Sequence, residues 1–199
     1  MSQRQQSQRL RIAVIEKDRE RAHQVVDALS DAGDYEVSVI GDETGLARRL
    51  SSLDPDLVLI DVVNPSRDVL EELALASGPL ERPVAMFVER TDDRLTAQAI
   101  EAGMSAYVVD GLHKDRIKPV LDAAIARFNM VSRMRRELEA TKAALAERKT
   151  VDRAKGLLMA ARGISEEEAY ALLRRTAMDQ GRKIGDVAAA LVTAADLLK

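Results

Sequence analysis

Residues 148–188 read RKTVDRAKGLLMAARGISEEEAYALLRRTAMDQGRKIGDVA, and three helices can be drawn in them. The first carries Val151, Ala154, Leu158 and Ala161 as an apolar stripe at helical spacing. Gly163 is placed to stop it, because glycine takes the left-handed conformation that helix C-termini often need. Ser165 and Glu168 form a capping-box pattern that starts the second helix. That helix carries Ala169, Leu172, Leu173 and Thr176 on one side, and Gln180-Gly181-Arg182-Lys183 ends it. The third helix has Ile184, Val187, Ala188, Leu191, Val192, Ala195 and Leu198 on one face, an i, i+3, i+4, i+7 series. Tyr170 is the only aromatic of the module and is read as a core residue. Basic residues interrupt the bundle: Lys149, Arg153 and Lys155 on the first helix, Arg174 and Arg175 on the second, Arg182 and Lys183 in the loop.

The combination Ala154-Lys155-Gly156, Leu158-Met159, Ser165, Glu168-Ala169-Tyr170, Leu173-Arg174 and Arg182-Lys183-Ile184 with Val187-Ala188 closely resembles the ANTAR family of RNA-binding antitermination domains. The resemblance covers the last quarter of the chain, with Gly181 at a loop position where the family usually has asparagine. It implies an RNA-binding output domain over residues 148–199. Lysine and arginine supply phosphate contacts, while exposed loop bases supply sequence information. Lys149, Arg153, Lys155, Arg174, Arg182 and Lys183 are therefore the expected RNA contacts. Gly156 fits either a close approach of the RNA backbone or tight helix packing.

Upstream lies a stretch with no glycine or proline between Pro119 and Gly156, which predicts one helix from about Arg116 to Ala161, roughly 70 Å long at 1.5 Å per residue. Asp115 is expected to cap it, with Pro119 in its first turn. Ile117, Val120, Leu121, Ala124, Ile125 and Phe128 should pack on the preceding domain. Ala124, Val131, Leu138 and Leu145 then recur every seven residues, beside a companion series of Leu121, Phe128, Arg135 and Lys142. Two readings stand: a coiled-coil dimer seam through Val131, Leu138 and Leu145, or a solvated linker helix. Met130 and Met134 read as packing residues, not ligands.

Strand and helix patterns alternate through the first 118 residues. Strands are expected at Leu10–Ile15, Tyr35–Ile40, Leu57–Ile60, Pro83–Val88 and Ala106–Val109, with helices around Val25, Leu46, Leu70 and Leu95 between them. The repeat predicts an α/β, doubly wound five-stranded parallel sheet, whose ligands collect at the carboxyl ends of the strands. Those ends carry Glu16, Asp18, Asp61, Glu89 and Asp110. With Pro65 four residues after Asp61, and Gly103-Met104-Ser105-Ala106-Tyr107 further on, residues 10–128 resemble the receiver domain of response regulators.

A phosphorylatable receiver needs an acidic pair to hold Mg²⁺, an acceptor aspartate, a hydroxyl and a lysine. Matched by position, these fall on Glu16 with Lys17, Asp61, Val88 and Asp110. Lys17 puts a cation at the metal position, with Asp18 the only nearby substitute. Val88 donates no hydrogen bond, and Asp110 repels a phosphoryl group. The expectation is a vestigial phosphoacceptor site in a pseudo-receiver. The segments 61–68 and 107–112 further resemble the nitrate-assimilation (NasT) type of ANTAR regulator. That resemblance implies a NasS-like nitrate- or nitrite-sensing partner that holds the regulator inactive.

The expected organisation is a disordered tail at 1–9, a receiver-like domain at 10–128, a coiled-coil helical linker at 129–147 and an all-α three-helix domain at 148–199. Residues 1–118 hold 15 Lys and Arg against 22 Asp and Glu, whereas residues 119–199 hold 15 against 11. An acidic front and a basic rear suit a regulatory head on a nucleic-acid-binding tail. Cysteine is absent, excluding disulfides and thiolate metal sites, and only two histidines are present. No apolar run is long enough to span a membrane and no signal peptide is evident, which points to the cytoplasm. No nucleophile–base pair supports catalysis, and no cofactor or metal is expected. The functional expectation is a transcription antitermination regulator, a homodimer, acting on leader-RNA hairpins with the RNA polymerase elongation complex as a further partner. The alternative is a phosphorylation-dependent DNA-binding response regulator.

Overall fold

The computed structural model describes residues 9–42 and 44–197. The expected tail at 1–9 lies outside them except for Arg9, which pairs with Asp34 at 2.9 Å; Leu198 lies outside them as well. Five strands carry the first part of the chain: β1 (Leu10–Ile15), β2 (Tyr35–Ile40), β3 (Leu57–Val62), β4 (Val84–Val88) and β5 (Ala106–Val108). Between them run α1 (Arg19–Ala32), α2 (Leu46–Leu53), α3 (Arg67–Ser77) and α4 (Asp93–Glu101). All pairs are parallel and the order is β2-β1-β3-β4-β5, the doubly wound order in which the chain reverses direction between β1 and β3.

Period-two alternation divides the strand side chains between two cores. Ala13, Ile15, Val58, Ile60, Val84, Met86 and Val88 face α2, α3 and α4, meeting Leu46, Leu50, Leu70, Leu73 and Ala99. Ile12, Val14, Leu57, Leu59, Ala85 and Phe87 face the other way, meeting Val25, Ala28 and Leu29 of α1. Both faces are covered, so the central strands read as continuous apolar runs rather than alternating ones. α1, α3 and α4 each start on a side-chain cap, from Asp18, Ser66 and Asp92.

A fifth helix, α5 (Lys114–Arg162), runs for 49 residues. Ile117, Leu121 and Ala124 close the second core from it, with Val120 and Ile125 partly buried there, while Phe128 falls outside that cluster. The helix begins at Lys114, earlier than the pattern suggested. Asp115 therefore lies inside the first turn rather than at the cap. Pro119 becomes the sixth helical residue, so it removes a hydrogen bond the helix would otherwise make to the carbonyl of Asp115.

The chain divides into two units, Met1–Ser132 and Arg133–Lys199. In the second, the end of α5 packs with α6 (Glu166–Asp179) and α7 (Ile184–Leu197) around Ala154, Leu173, Ala177, Val187 and Ala188. Gly163 has φ 66° and ends α5, and Ser165 with Glu168 makes the full capping box of α6. Ala161, expected in the stripe, is exposed, and the stripe instead runs through Val151, Ala154 and Leu158. Ala177, one turn beyond Leu173, completes the α6 face.

Leu121 is 1% exposed between α5 and the sheet, so Leu121→Ala should cost about 2–5 kcal/mol. Leu75 is 87% exposed, and Leu75→Ala should move stability by less than about 0.5 kcal/mol. Urea unfolding midpoints of the two variants check the contrast.

Candidate functional site

The carboxyl edge of the sheet gathers the expected acidic residues. Glu16 follows β1 and Asp61 stands in β3, and both are buried. The group that joins them is one the sequence reading did not single out. Asp18 caps α1 by accepting from the backbone N–H groups of Glu20 and Arg21, which fixes the first turn of the helix. From that turn the Arg21 guanidinium reaches Asp61 Oδ2 at 2.9 Å and Glu16 Oε2 at 3.3 Å, and it also pairs with Glu89. Asp18, weighed as a substitute metal ligand, is occupied as the cap, and its own N–H donates to Glu16 Oε1 at 2.8 Å. Asp61 Oδ1 has no hydrogen-bond partner.

The positions matched to the hydroxyl and the lysine are Val88 and Asp110. Val88 is fully buried in β4. Asp110 follows β5 with φ 73°, a left-handed conformation that aspartate tolerates, and its side chain is exposed. A cavity of about 410 Å³ runs along this edge past Arg21, Asp61, Glu89 and Asp110. The hydroxyls of Thr91 and Tyr107 share a hydrogen bond of 2.8 Å, a pairing invisible to residue patterns sixteen positions apart.

Burial pushes the Asp61 carboxyl up to about 6, against the pull of Arg21 and with added repulsion from Glu16. Burial alone would lower Arg21, but Glu89, Asp61 and Glu16 more than offset it and hold the guanidinium above its ordinary range. For a carboxyl raised above its ordinary value near 3.8, the folded state keeps the proton longer than the unfolded state does. Its contribution to stability is present at low pH and lost as pH rises through about 6. In wild type against Asp61→Asn, the stability difference should therefore shift in favour of the variant by on the order of 2 kcal/mol between about pH 4 and pH 7. Urea unfolding of both proteins at the two pH values measures it.

In the second unit the basic residues divide into two groups. Arg153 Nη2 is paired with Asp196 at 2.7 Å. Lys155 Nζ sits between Asp152 at 2.7 Å and Glu166 at 2.6 Å, with only 15% of its side chain exposed. The hydrogen bond to Asp152, then that to Glu166, holds the Lys155 ammonium above its usual range. Lys149, Arg174, Arg175 and Lys183 are exposed and make no ion pair among the described residues, and Arg182 reaches only the Asp186 carbonyl at 3.5 Å. At about 100° per residue, Lys155 lies about 200° around α5 from Arg153, so these two do not share a face. Lys149, Arg153 and Gly156 do, at i, i+4 and i+7.

Gly156 decides one open alternative. A Cβ built there would meet nothing within 4 Å, so helix packing does not account for this glycine. Tyr170, read as core, is 46% exposed on α6, one turn before Arg174, and Met178 one turn further on is 73% exposed. The buried α6 face is the narrow line of Ala169, Leu173 and Ala177, which leaves Tyr170 on its flank. Among the described residues no group of three or more His, Cys, Asp or Glu is arranged to hold a metal ion, and no helix is long and apolar enough to cross a membrane.

Comparison with known proteins follows the same division. The transcriptional regulatory protein PdtaR of Mycobacterium tuberculosis (strain ATCC 25618 / H37Rv) is 29% identical over 172 residues, covering 86% of this chain and 78% of that protein. The nitrate regulatory protein of Klebsiella oxytoca is 42% identical over 57 residues, 29% of this chain and 14% of that protein. A response regulator from Thermotoga maritima superposes with a TM-score of 0.52 at 19% identity, covering 60% of this chain and 99% of that structure, which shows the receiver-like fold. A match to the ANTAR domain spans residues 139–192. The protein thus joins a receiver-like five-stranded α/β fold, through the long helix α5, to an ANTAR domain.

Proposed function

We propose that this protein is a cytoplasmic transcription antitermination regulator. It binds hairpins of leader RNA through its ANTAR domain and is controlled by a protein partner rather than by phosphorylation of Asp61. The ANTAR match over residues 139–192 carries the reading. Exposed Lys149, Arg174 and Lys183, which make no ion pair among the described residues, support it as phosphate contacts, with Arg182 beside them. Arg153 and Lys155 belong to the same proposed set but must first exchange Asp196, or Asp152 and Glu166, for phosphate. Gly156, with open space at its side, gives the Lys149–Arg153 face a place where an RNA backbone can come close.

Nitrate or nitrite assimilation is the proposed setting, supported by the partial likeness to the Klebsiella nitrate regulatory protein. A NasS-like sensor is the proposed controlling partner, and the RNA polymerase elongation complex receives the output. Such a sensor must bind the RNA-incompetent form more tightly, or cover the RNA face itself.

The test is binding to a leader hairpin against a DNA duplex of matching sequence across a salt series. Arg174→Ala and Lys183→Ala should each weaken hairpin binding and reduce the salt slope by about one unit or less for each phosphate that is no longer neutralised. Gly156→Ala should stabilise α5 by up to about 1 kcal/mol and yet weaken RNA binding, a pairing that general damage does not produce. Normal hairpin affinity in all three variants would refute this RNA face. Preference for the duplex would favour a DNA-binding regulator instead.

We also propose that α5 dimerises the protein through Val131, Leu138 and Leu145, all more than 40% exposed. Their companion positions in the seam are Arg135 and Lys142, which lie four residues after Val131 and Leu138 and three before Leu138 and Leu145, the 3,4 spacing of a coiled coil. Polar residues at such positions fix register at some cost in stability. Leu138→Asp should lower the dimer fraction by at least about tenfold in equilibrium constant, since it buries an unpaired charge. Sedimentation equilibrium reads it, and a wild type monomeric with and without RNA would refute the seam.

A further inference from the structure

Receiver-like folds imply a divalent cation beside the acceptor aspartate, and the residues present here do not fit one. The place where an ion would bridge Glu16 and Asp61 is held by the Arg21 guanidinium. Asp18, weighed as a further metal ligand, is spent on the cap of α1. We propose that Arg21 is the resident cation of this pocket, keeping divalent ions out and holding the acidic edge together without a metal.

The chemistry of the side chain suits the role. A guanidinium is a planar fork that stays charged at every relevant pH, and separate nitrogens can meet separate carboxylates. Here Nε meets Glu16, Nη2 meets Asp61 and Nη1 meets Glu89, so three strands' ends are tied by one side chain. The pocket keeps an excess of negative charge around Arg21, and the buried Asp61 Oδ1 still lacks a partner. Without Arg21, Glu16, Asp61 and Glu89 would lose the cation that touches all three. Carboxylate oxygens are what a hard divalent cation takes, so an ion is the natural substitute once Arg21 is gone.

This inference rests on the reading of Asp61 as a position that does not accept phosphate, and its test contains no phosphodonor. Full-length wild type, Arg21→Gln, Arg21→Lys and the double variant Arg21→Gln/Asp61→Asn are compared in EDTA and in millimolar Mn²⁺. Thermal unfolding and the free Mn²⁺ signal in electron paramagnetic resonance are read together. Wild type should unfold at the same temperature in both buffers and bind no Mn²⁺. Arg21→Gln should unfold roughly 5–10 °C lower in EDTA, recover most of that loss in Mn²⁺ and take up the ion. Arg21→Lys, which keeps the charge, should bind none, and the double variant should lose the Mn²⁺ response. Asp61-dependent Mn²⁺ binding by wild type would overturn the proposal. So would a folded Arg21→Gln that ignores Mn²⁺, or an Arg21→Lys that binds as well as Arg21→Gln. If Arg21→Gln does not fold in EDTA, failure of Mn²⁺ to restore its helical signal also overturns it. Incubating wild type with acetyl phosphate and Mg²⁺ and weighing the product tests the non-acceptor reading separately; an adduct there refutes that reading, while the Mn²⁺ comparison alone judges Arg21.

Discussion

Two carboxylates, Glu16 and Asp61, are buried side by side at the carboxyl edge of a parallel sheet, and buried negative charge must be met by positive charge. Arg21 meets it. The consequence reaches both the architecture and the use of the fold. Architecturally, one side chain from the first turn of α1 fastens the ends of β1, β3 and the segment after β4. Under the proposal that Arg21 is the resident cation, it stands where a receiver would hold its metal. Val88 and Asp110, at the positions matched to the hydroxyl and the lysine, are consistent with that proposal.

A second constraint acts in the ANTAR unit, where the proposed contact with a polyanion needs cations that are not already neutralised. Lys155 and Arg153 are paired to carboxylates, whereas Lys149, Arg174, Arg175 and Lys183 make no ion pair among the described residues. Exposed ion pairs are weak, so exchange for phosphate at Arg153 costs little. Lys155 is different, since its ammonium is enclosed between Asp152 on its own helix and Glu166 at the start of α6. That pair ties two helices together before any ligand arrives. The open side of Gly156 is the complementary observation: a helical glycine that packs against nothing weakens the helix by about 1 kcal/mol relative to alanine without improving the core.

Strand positions, the five-fold alternation and the capping box of α6 were legible because each depends on neighbours in the chain. The boundaries of β2 agree residue for residue, and Gly163 ends α5 where its left-handed conformation is expected. The misplacements also have local causes. Asp115 resembles a cap because Pro119 suggests a first turn, but the helix begins a residue earlier than Asp115 and absorbs the proline. Tyr170 resembles a core residue because it follows Ala169, yet the α6 core line is narrow enough to leave it outside.

By itself the sequence determined a doubly wound parallel sheet, a long helix and a capped helical module, since periodicity and turn chemistry are short-range properties. It also set the residue types at Val88 and Asp110, the positions matched to the hydroxyl and the lysine of a receiver, because those are matters of residue identity. Only the tertiary structure decided which cation meets the buried carboxylates. Arg21 lies 5 positions from Glu16, 40 from Asp61 and 68 from Glu89, and the order β2-β1-β3-β4-β5 is what brings all three carboxylates to it. It likewise decided which of these cations are paired, because pairing of Arg153 with Asp196 and of Lys155 with Glu166 depends on how helices distant in sequence come to lie side by side.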